Sequence, residues 1–426
     1  MGEILLVALV ALILLNVPLG VCMGLASMLA IGVVGKVPVF LVVQRMFTGM
    51  DSFVMLAIPL FMIAGRLMEL GGISRRLINL ALSMVGGIHG GLGHATVLGC
   101  MFFAAISGSA PATVASIGTI MVPAMIEAGY DRRFAVALIA SAGTIGVIIP
   151  PSIPFVTYGV STSTSIGQLF MAGLIPGIIM GLSLIAACYV YSRRRGYRSE
   201  TSFTLKGFLT SLREAVWGLL MPGIILGGIY GGIFTPTEAA AVACAYSLFV
   251  GVVIYRELDF KRIVTCLHEA GTMSAMVMLI IGAATAMGWI LTAEQIPAKI
   301  AAGISVIVDS PWSLMLVFNL ILLFMGCIME PNAAIIILAP IFLPLLRQFD
   351  INLIYFGVIM VVNLALGLLT PPLGVNLFVA NSLRKDVGFK DIVLWTCPLL
   401  GVLLINLVLF ICFPEISLFL VKLLHI

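Results

Sequence analysis

Two pairs of adjacent prolines interrupt long apolar stretches of the sequence. One pair lies in "GVIIPPSIPF", residues 146–155, and the other in "GLLTPPLGVN", residues 367–376. Proline lacks a backbone N–H and interrupts a helix, so each pair predicts a helix that stops and starts again. Such an interruption frees carbonyl oxygens at the end of the first piece and amide donors at the start of the second. Each break could therefore bind a cation and an anion without a charged side chain.

The first break predicts a cation site together with a segment of small polar residues, "AISGSAPATVASIG". That segment is too polar to cross lipid, and it predicts a hairpin that enters the membrane and turns inside the protein. Oxygen atoms from the hairpin tip and the break would form a cage of hard ligands suitable for sodium. Alternatively, the serines only allow helices to pack closely. The predicted ligands are Ser107, Ser109, Gly146, Ile149 and Pro151.

The second half of the sequence repeats this arrangement. At one constant offset, without a gap, Gly146 aligns with Gly367 and the proline pair 150–151 with the pair 371–372. The matches fall mostly on residues that start, stop or bend helices, which favours a duplicated architecture over coincidence. The repeat predicts a second sodium site. Its ligands would come from Gly326, Ile328, Gly367, Thr370 and Pro372.

Glu330 stands alone between uncharged tracts in "CIMEPNAA", at the position that matches Ser109. An unpaired carboxylate at membrane depth is costly unless a cavity, a cation or a proton relieves it, which favours a functional role. It could equally cap the helix that begins at Pro331. We expect helix N-termini and hydroxyl groups to bind an anionic substrate, in place of a required arginine. The candidate substrate contacts are Ser152, Thr157, Glu330 and Asn332.

The composition identifies an integral membrane protein. Of the 426 residues, 62% are hydrophobic and only 9% are charged, which a water-soluble surface does not allow. The uncharged tracts are too long for the alternating strands of a membrane barrel, and at about 20 residues for each helix they predict roughly ten to twelve passes. The first apolar run, which begins at Ile4, lacks a basic region and a cleavage site. It is predicted to be a retained span and not a signal peptide.

Several classes of function are disfavoured by what the sequence lacks. The net charge of +4 is small and dispersed, which argues against binding to nucleic acid. No G-x-x-x-x-G-K-[ST] motif occurs, so direct coupling to ATP is not expected. The eight cysteines stand singly and are predicted to be packing residues. An intramembrane hydrolase would need a nucleophile beside a base, and none of the four histidines offers that pairing. No cofactor is expected apart from sodium as a coupling ion.

The predicted organisation is a single integral membrane unit over residues 1–426, within which two repeated segments form a transport unit and the rest forms a scaffold. The basic segment "SRRRGYR" is predicted to be cytoplasmic. The scaffold comprises residues 1–85, the spans and connector of 168–299, and a C-terminal span in 386–426. The transport unit comprises residues 86–167 and 300–385, each a hairpin plus a broken helix.

Several long motifs, in order over nearly the whole chain, resemble one known family. They include "SGSAPATVASIGTIMVPAM", "GGIFTPTEAAAVACAYSLFVG" and "CIMEPNAAIIILAPIFLPLL". The chain resembles the large membrane subunit, or M subunit, of tripartite ATP-independent periplasmic (TRAP) transporters. The resemblance implies an all-α polytopic membrane protein with an inverted-repeat, ion-transporter-like fold. That fold has two re-entrant hairpins and two broken helices, and its transport domain moves past the scaffold like an elevator.

The resemblance also implies a sodium-driven importer of organic acids, such as sialic acid, other sugar acids or C4-dicarboxylates, in the bacterial inner membrane. Its implied partners are a small four-helix membrane subunit and a periplasmic substrate-binding protein. One departure is that "RQFDINLIYFG" lacks a glycine common in the family. A proton-coupled carrier and an ion channel remain the alternatives. Carried over by motif, the sodium ligands fall on Ser107, Ser109, Gly146, Ile149, Pro151, Gly326, Thr370 and Pro372.

Overall fold

The computed structural model describes residues 1–15, 17–35, 37–85, 87–197, 204–296 and 308–424, together with Lys299 and Gly303. Helices form most of this part of the chain, and nine of them are long and apolar enough to cross a membrane. The sequence predicted more passes because four further apolar helices, two of them at the N-terminus and two in the repeated segments, are shorter than a full span. Two predicted boundaries, at residues 86 and 300, lie outside the described residues. So do residues 198–203, which belong to the connector predicted within 168–299.

Five helices precede the first hairpin. A short 3₁₀ turn over Phe53–Leu56 leads directly into the fourth helix. The fifth is amphipathic, and its apolar residues Ile73, Leu77 and Leu80 are buried, as expected for a helix that packs one face against the protein. The helices are α1 (Gly2–Leu14), α2 (Leu19–Val34), α3 (Phe40–Met50), α4 (Ala57–Leu70) and α5 (Ile73–Met84).

The first repeated segment forms a helical hairpin followed by a broken helix, as predicted. The first hairpin is α6 (Gly91–Ser107) and α7 (Ala110–Glu127), and its tip is the pair Gly108 and Ser109. The first broken helix is α8 (Arg132–Gly143), extended by a 3₁₀ turn, and α9 (Ile153–Thr162). The first break, residues 148–152, ends where the Ser152 hydroxyl accepts a hydrogen bond from Phe155 N and caps α9.

Four long helices follow, and several of them pack against the N-terminal helices. The third, α12, and the fourth, α13, both contact α4, and α13 also contacts α2 and α3. These contacts hold the N-terminal helices to the middle of the chain, and their assignment to one scaffold stays a prediction. The four helices are α10 (Ile166–Arg195), α11 (Leu205–Tyr230), α12 (Pro236–Phe249) and α13 (Phe260–Ala293).

The second repeated segment forms an equivalent hairpin and broken helix. The second hairpin is α14 (Pro311–Ile328) and α15 (Pro331–Gln348), and the second broken helix is α16 (Leu353–Gly367) and α17 (Val375–Leu383). The second break, residues 368–374, lies between them. Both α7 and α15 have 18 residues, and each break contains a cis peptide bond between its two prolines. The chain then continues through α18 (Phe389–Cys412) and α19 (Glu415–Leu423).

The two repeated segments share one core. Helix α9 of the first segment packs on α15 of the second, while α17 of the second packs on α7 and α8 of the first. The hydroxyl of Tyr158 donates to Leu353 O at 2.8 Å, and Nδ2 of Asn376 donates to Ala140 O at 3.2 Å. Residues 134–143 of α8 and 355–367 of α16 are buried. The prediction of an all-α polytopic fold with two hairpins and two broken helices is confirmed.

Candidate ion and substrate sites

The tip of the first hairpin lies directly against the first break. Gly108 has a positive φ of 59°, a conformation that glycine adopts without the steric cost met by other residues. A Cβ at Gly108 would lie 2.8 Å from the carbonyl oxygen of Pro151. The amide of Ile153 donates a long hydrogen bond, 3.5 Å, to the carbonyl oxygen of Gly108. The turn therefore closes on the break through backbone atoms.

Hydroxyl and carbonyl oxygens cluster at this contact. The hydroxyl of Thr113 donates to Ser109 O at 2.8 Å, and its oxygen lies 3.0 Å from Oγ of Ser107. A Cβ at Gly146 would lie 2.7 Å from Ser109 O and would also meet Oγ1 of Thr113. The structure thus brings Ser107, Ser109 and Gly146 together, and their binding of sodium stays a prediction. Thr113 joins them although the sequence did not single it out.

The remaining residues of the first predicted site occupy the buried break itself. The amide of Ile149 donates to Ile145 O at 3.1 Å, and the Ile149 side chain is buried. The hydroxyl of Ser152 donates to Val147 O at 2.5 Å. Because it also caps α9, the Ser152 hydroxyl already has partners within its own segment, and its contact with substrate stays a prediction.

The second hairpin meets the second break at two glycines. A Cβ at Gly326 would lie 3.1 Å from Cα of Gly367, so only glycine allows these two backbones to approach. The hydroxyl of Thr370 donates to Leu366 O at 3.3 Å, and the amide of Leu373 donates to Cys327 O at 2.9 Å. Gly326 and Gly367 therefore lie where hairpin and break approach each other. Of the other predicted ligands, Thr370 and Pro372 lie within the break, and Ile328 is the last residue of α14.

The two breaks differ in exposure. Residues 148–152 of the first break are buried, whereas Pro371, Pro372 and Leu373 of the second are exposed. The second tip also lacks hydroxyl groups, because Ile328 and Glu330 stand where the first has Ser107 and Ser109. The repeat therefore preserves the backbone arrangement more closely than the side chains.

Glu330 caps the second helix of the second hairpin. Its Oε2 accepts from the amides of Asn332 and Ala333, at 2.9 and 3.3 Å, and its Oε1 accepts from Nδ2 of Asn332 at 2.6 Å. Oδ1 of Asn332 accepts from the hydroxyl of Thr157 at 2.9 Å. A polar chain thus links α9 to the second tip and joins three of the four predicted substrate contacts. Their contact with substrate stays a prediction.

A cavity of about 590 Å³ lies beside the first hairpin tip. Ser107 and Ser109 line one side of it, and α4 and α13 line another. Arg66 of α4, which also lines the cavity, forms ion pairs with Glu69 and Glu269. Helix α4 lies within residues 1–85, which the sequence predicts to be scaffold, and no sequence-based prediction named Arg66. Its signal was a pair of opposite charges, Arg66 and Glu69, in an otherwise apolar helix.

Comparisons with known proteins describe one family. A sequence profile described as "Tripartite ATP-independent periplasmic transporter, DctM component" matches residues 6–416. The chain is 45% identical to the isethionate TRAP transporter permease protein DctMQ of Oleidesulfovibrio alaskensis, over 95% of this chain but only 64% of that protein. It is 42% identical to the C4-dicarboxylate TRAP transporter large permease protein DctM of Pseudomonas aeruginosa, over 88% of this chain and 87% of that one.

Two further similarities extend these findings. The sialic acid TRAP transporter large permease protein SiaM of Vibrio cholerae is 38% identical, over 89% of each chain. Among solved structures, the YdaH transporter of Alcanivorax borkumensis, described as having an unusual topology, superposes with a TM-score of 0.59. That superposition covers 88% of this chain and 89% of that one, at 15% identity, and it concerns the fold alone.

Proposed function

The chain belongs to the family of DctM components of tripartite ATP-independent periplasmic transporters, and we propose that it is the large membrane subunit of a sodium-coupled importer of organic acid anions. The family consists of transporter permease components and not of enzymes. The chain is a multi-pass membrane protein, and we place it in the bacterial inner membrane. Its proposed partners are a small four-helix membrane subunit and a periplasmic substrate-binding protein.

The observation that carries the sodium proposal is the closure of each hairpin tip on a helix break. At the first, Ser109 O, the Thr113 hydroxyl and the backbone of Gly146 meet. Hard cations take oxygen ligands of this kind, and broken helices in secondary transporters supply them. Sodium that enters down its gradient would then drive uptake of the substrate, since each monovalent charge gains about 2.3 kcal/mol per 100 mV of membrane potential.

A second sodium ion would bind at the second tip, between the Gly326–Gly367 contact and Thr370. Because Pro371 and Pro372 are exposed while the first break is buried, we propose that this site exchanges its ion more readily than the first. The proposed difference in ion exchange follows from the different exposure of the two breaks, since both sites use the same backbone arrangement.

The proposed movement is of elevator type. Residues 86–167 and 300–385 form the mobile unit, and the rest forms the scaffold. The division is supported by the shared core, in which α9 packs on α15 and α17 packs on α7 and α8. Two segments interlocked in this way would move together. The N-terminal helices, held by α12 and α13, would stay in place.

The proposed substrate class is taken from the names of the related transporters. Their names include isethionate, C4-dicarboxylate and sialic acid transporters, and all of these substrates are small organic acid anions. The substrate would contact Thr157, Glu330 and Asn332 along the polar chain that joins the two segments, together with Ser152.

Uptake into proteoliposomes tests this function. The vesicles hold the chain with its small membrane partner, and the purified binding protein delivers radiolabelled acid under an inward sodium gradient or an equal potassium gradient. We expect accumulation with sodium only, weakened in Ser107→Ala and Thr370→Ala. Uptake driven equally by a proton gradient without sodium would contradict sodium coupling and favour a proton-coupled carrier. Ion current without substrate would favour a channel.

A further inference from the structure

The cavity beside the first hairpin tip lies between the proposed mobile unit and the scaffold. Gly65 of α4 packs against the tip so closely that a Cβ there would lie 3.2 Å from Ile106 O and 3.3 Å from Cα of Ser107. The next residue, Arg66, lines the cavity together with Ser107 and Ser109. An anion in this cavity would therefore touch the scaffold and the first predicted sodium site at once.

The guanidinium of Arg66 is already bound by carboxylates. Its Nη1 pairs with Oε2 of Glu69, while its Nε, at 2.7 Å, and its Nη2 both donate to Oε2 of Glu269. A guanidinium binds carboxylates through two parallel N–H donors. Glu269 therefore occupies, with a single oxygen, the edge of the guanidinium that could bind both oxygens of an acid group.

The two carboxylates are held differently. Oε1 of Glu69 accepts a hydrogen bond from the hydroxyl of Ser116, and the Glu69 side chain is only 17% exposed. Glu269 has no hydrogen-bond partner other than Arg66 among those the structure describes, and its side chain is 39% exposed. Glu269 is therefore the partner that an incoming anion can replace.

The other groups that line the cavity are consistent with a small organic acid. His268 is the remaining titratable lining residue, and Met62, Met273 and Val379 supply apolar surface. Ligand cavities of this size are mostly apolar with a few polar groups that fix orientation. With one guanidinium against two carboxylates, the cluster has no spare positive charge, so an anion binds only if it displaces Glu269.

We propose that Arg66 binds an acid group of the transported anion, and that Glu269 occupies its place when no substrate is bound. This assignment rests on the proposed function. It adds an arginine to the hydroxyl groups and helix N-termini that the sequence indicated. Glu269 then acts as an internal competitor, which is released when the substrate arrives.

Opposite changes in substrate affinity test the proposal. The assay is sodium-driven uptake by the full complex in proteoliposomes. Radiolabelled succinate, sialic acid and isethionate are tried first with the unmodified complex. The acid that it accumulates is then the probe for all variants. We expect Arg66→Gln to raise KM at least tenfold. Arg66→Lys keeps the charge but loses the two parallel N–H donors, and we expect it to raise KM less. We expect Glu269→Gln to lower KM severalfold. The exposed Arg75 on α5, outside the cavity, supplies the control Arg75→Gln.

A purely structural role would give a different pattern. If Arg66 only joins α4 to α13, removing either partner weakens the same link, and both variants change KM in the same direction. That result, or an unchanged KM in both Arg66 variants, would overturn the proposal. The half-saturating sodium concentration is measured in the same vesicles. If the unmodified complex shows sodium dependence and these variants retain it, failure of the Arg66 assignment leaves the proposed function standing.

Discussion

Replacing Gly146 by alanine is expected to separate the first hairpin tip from the first break. The new Cβ would lie 2.7 Å from Ser109 O and 3.1 Å from Cα of Ala110, and it would also meet Oγ1 of Thr113. Two of these three atoms are backbone atoms, of Ser109 in the tip and of Ala110 at the start of α7, so rotation of a side chain cannot relieve the clash. The tip itself must move away from the break.

The size of the effect follows from the packing. Forcing an extra methyl group into a closely packed site costs typically about 1–3 kcal/mol. If this cost falls on the conformation in which the tip closes on the break, the half-saturating sodium concentration rises about 5- to 150-fold. The chain offers a matched control in Gly288→Ala. Gly288 lies inside α13, and a Cβ there meets nothing within 4 Å.

The assay is the sodium dependence of uptake by the assembled complex in proteoliposomes, with both variants measured beside the unmodified chain. We expect Gly288→Ala to keep the normal sodium dependence, because alanine favours a helix and contacts no neighbour there. If Gly146→Ala assembles with its partners and keeps the half-saturating sodium concentration of the unmodified complex, closure of the tip on the break does not govern sodium binding.

Three further predictions concern single polar groups. Thr113→Val removes the hydroxyl that donates to Ser109 O; losing about 1 kcal/mol should raise the half-saturating sodium concentration about fivefold in uptake assays. Thr157→Val leaves Oδ1 of Asn332 without its donor, and it should lower stability by about 1–3 kcal/mol, measured as an earlier thermal transition in detergent. Hydrogen bonding from the Arg133 side chain lowers the pKa of Asp131. This stabilises the folded chain above the unfolded pKa, and the contribution is lost as the pH falls through the lowered folded value. Asp131→Asn should therefore melt earlier at neutral pH, with the difference shrinking below about pH 4.

The hairpins and breaks were predictable because local residues dictate them. Proline removes a backbone donor wherever it stands, and the glycines at positions 146 and 367 occupy equivalent places in both halves. Secondary structure of this kind depends on a few neighbouring residues. A single sequence therefore indicated where each helix stops and where each tip turns.

The missing parts of the site depend on contacts between distant segments. Thr113 faces the break only because the register of the first hairpin places it against Gly146. Arg66 and Glu269 are 203 positions apart, and Thr157 and Asn332 are 175 apart. No local pattern reports such pairs. The exposure of the second break likewise follows from tertiary packing, since both breaks carry the same proline pair but only the first is buried.

Equilibrium binding of radioactive sodium to the purified complex tests the two proposed sodium sites without substrate and without a gradient. We compare the unmodified chain with Ser107→Ala, Thr370→Ala and the double variant, at the sodium concentration that half-saturates the unmodified chain. We expect saturable binding that falls in each single variant and falls furthest in the double variant. Binding that does not saturate, or that is equal in the double variant and the unmodified chain, would show that these residues do not hold sodium.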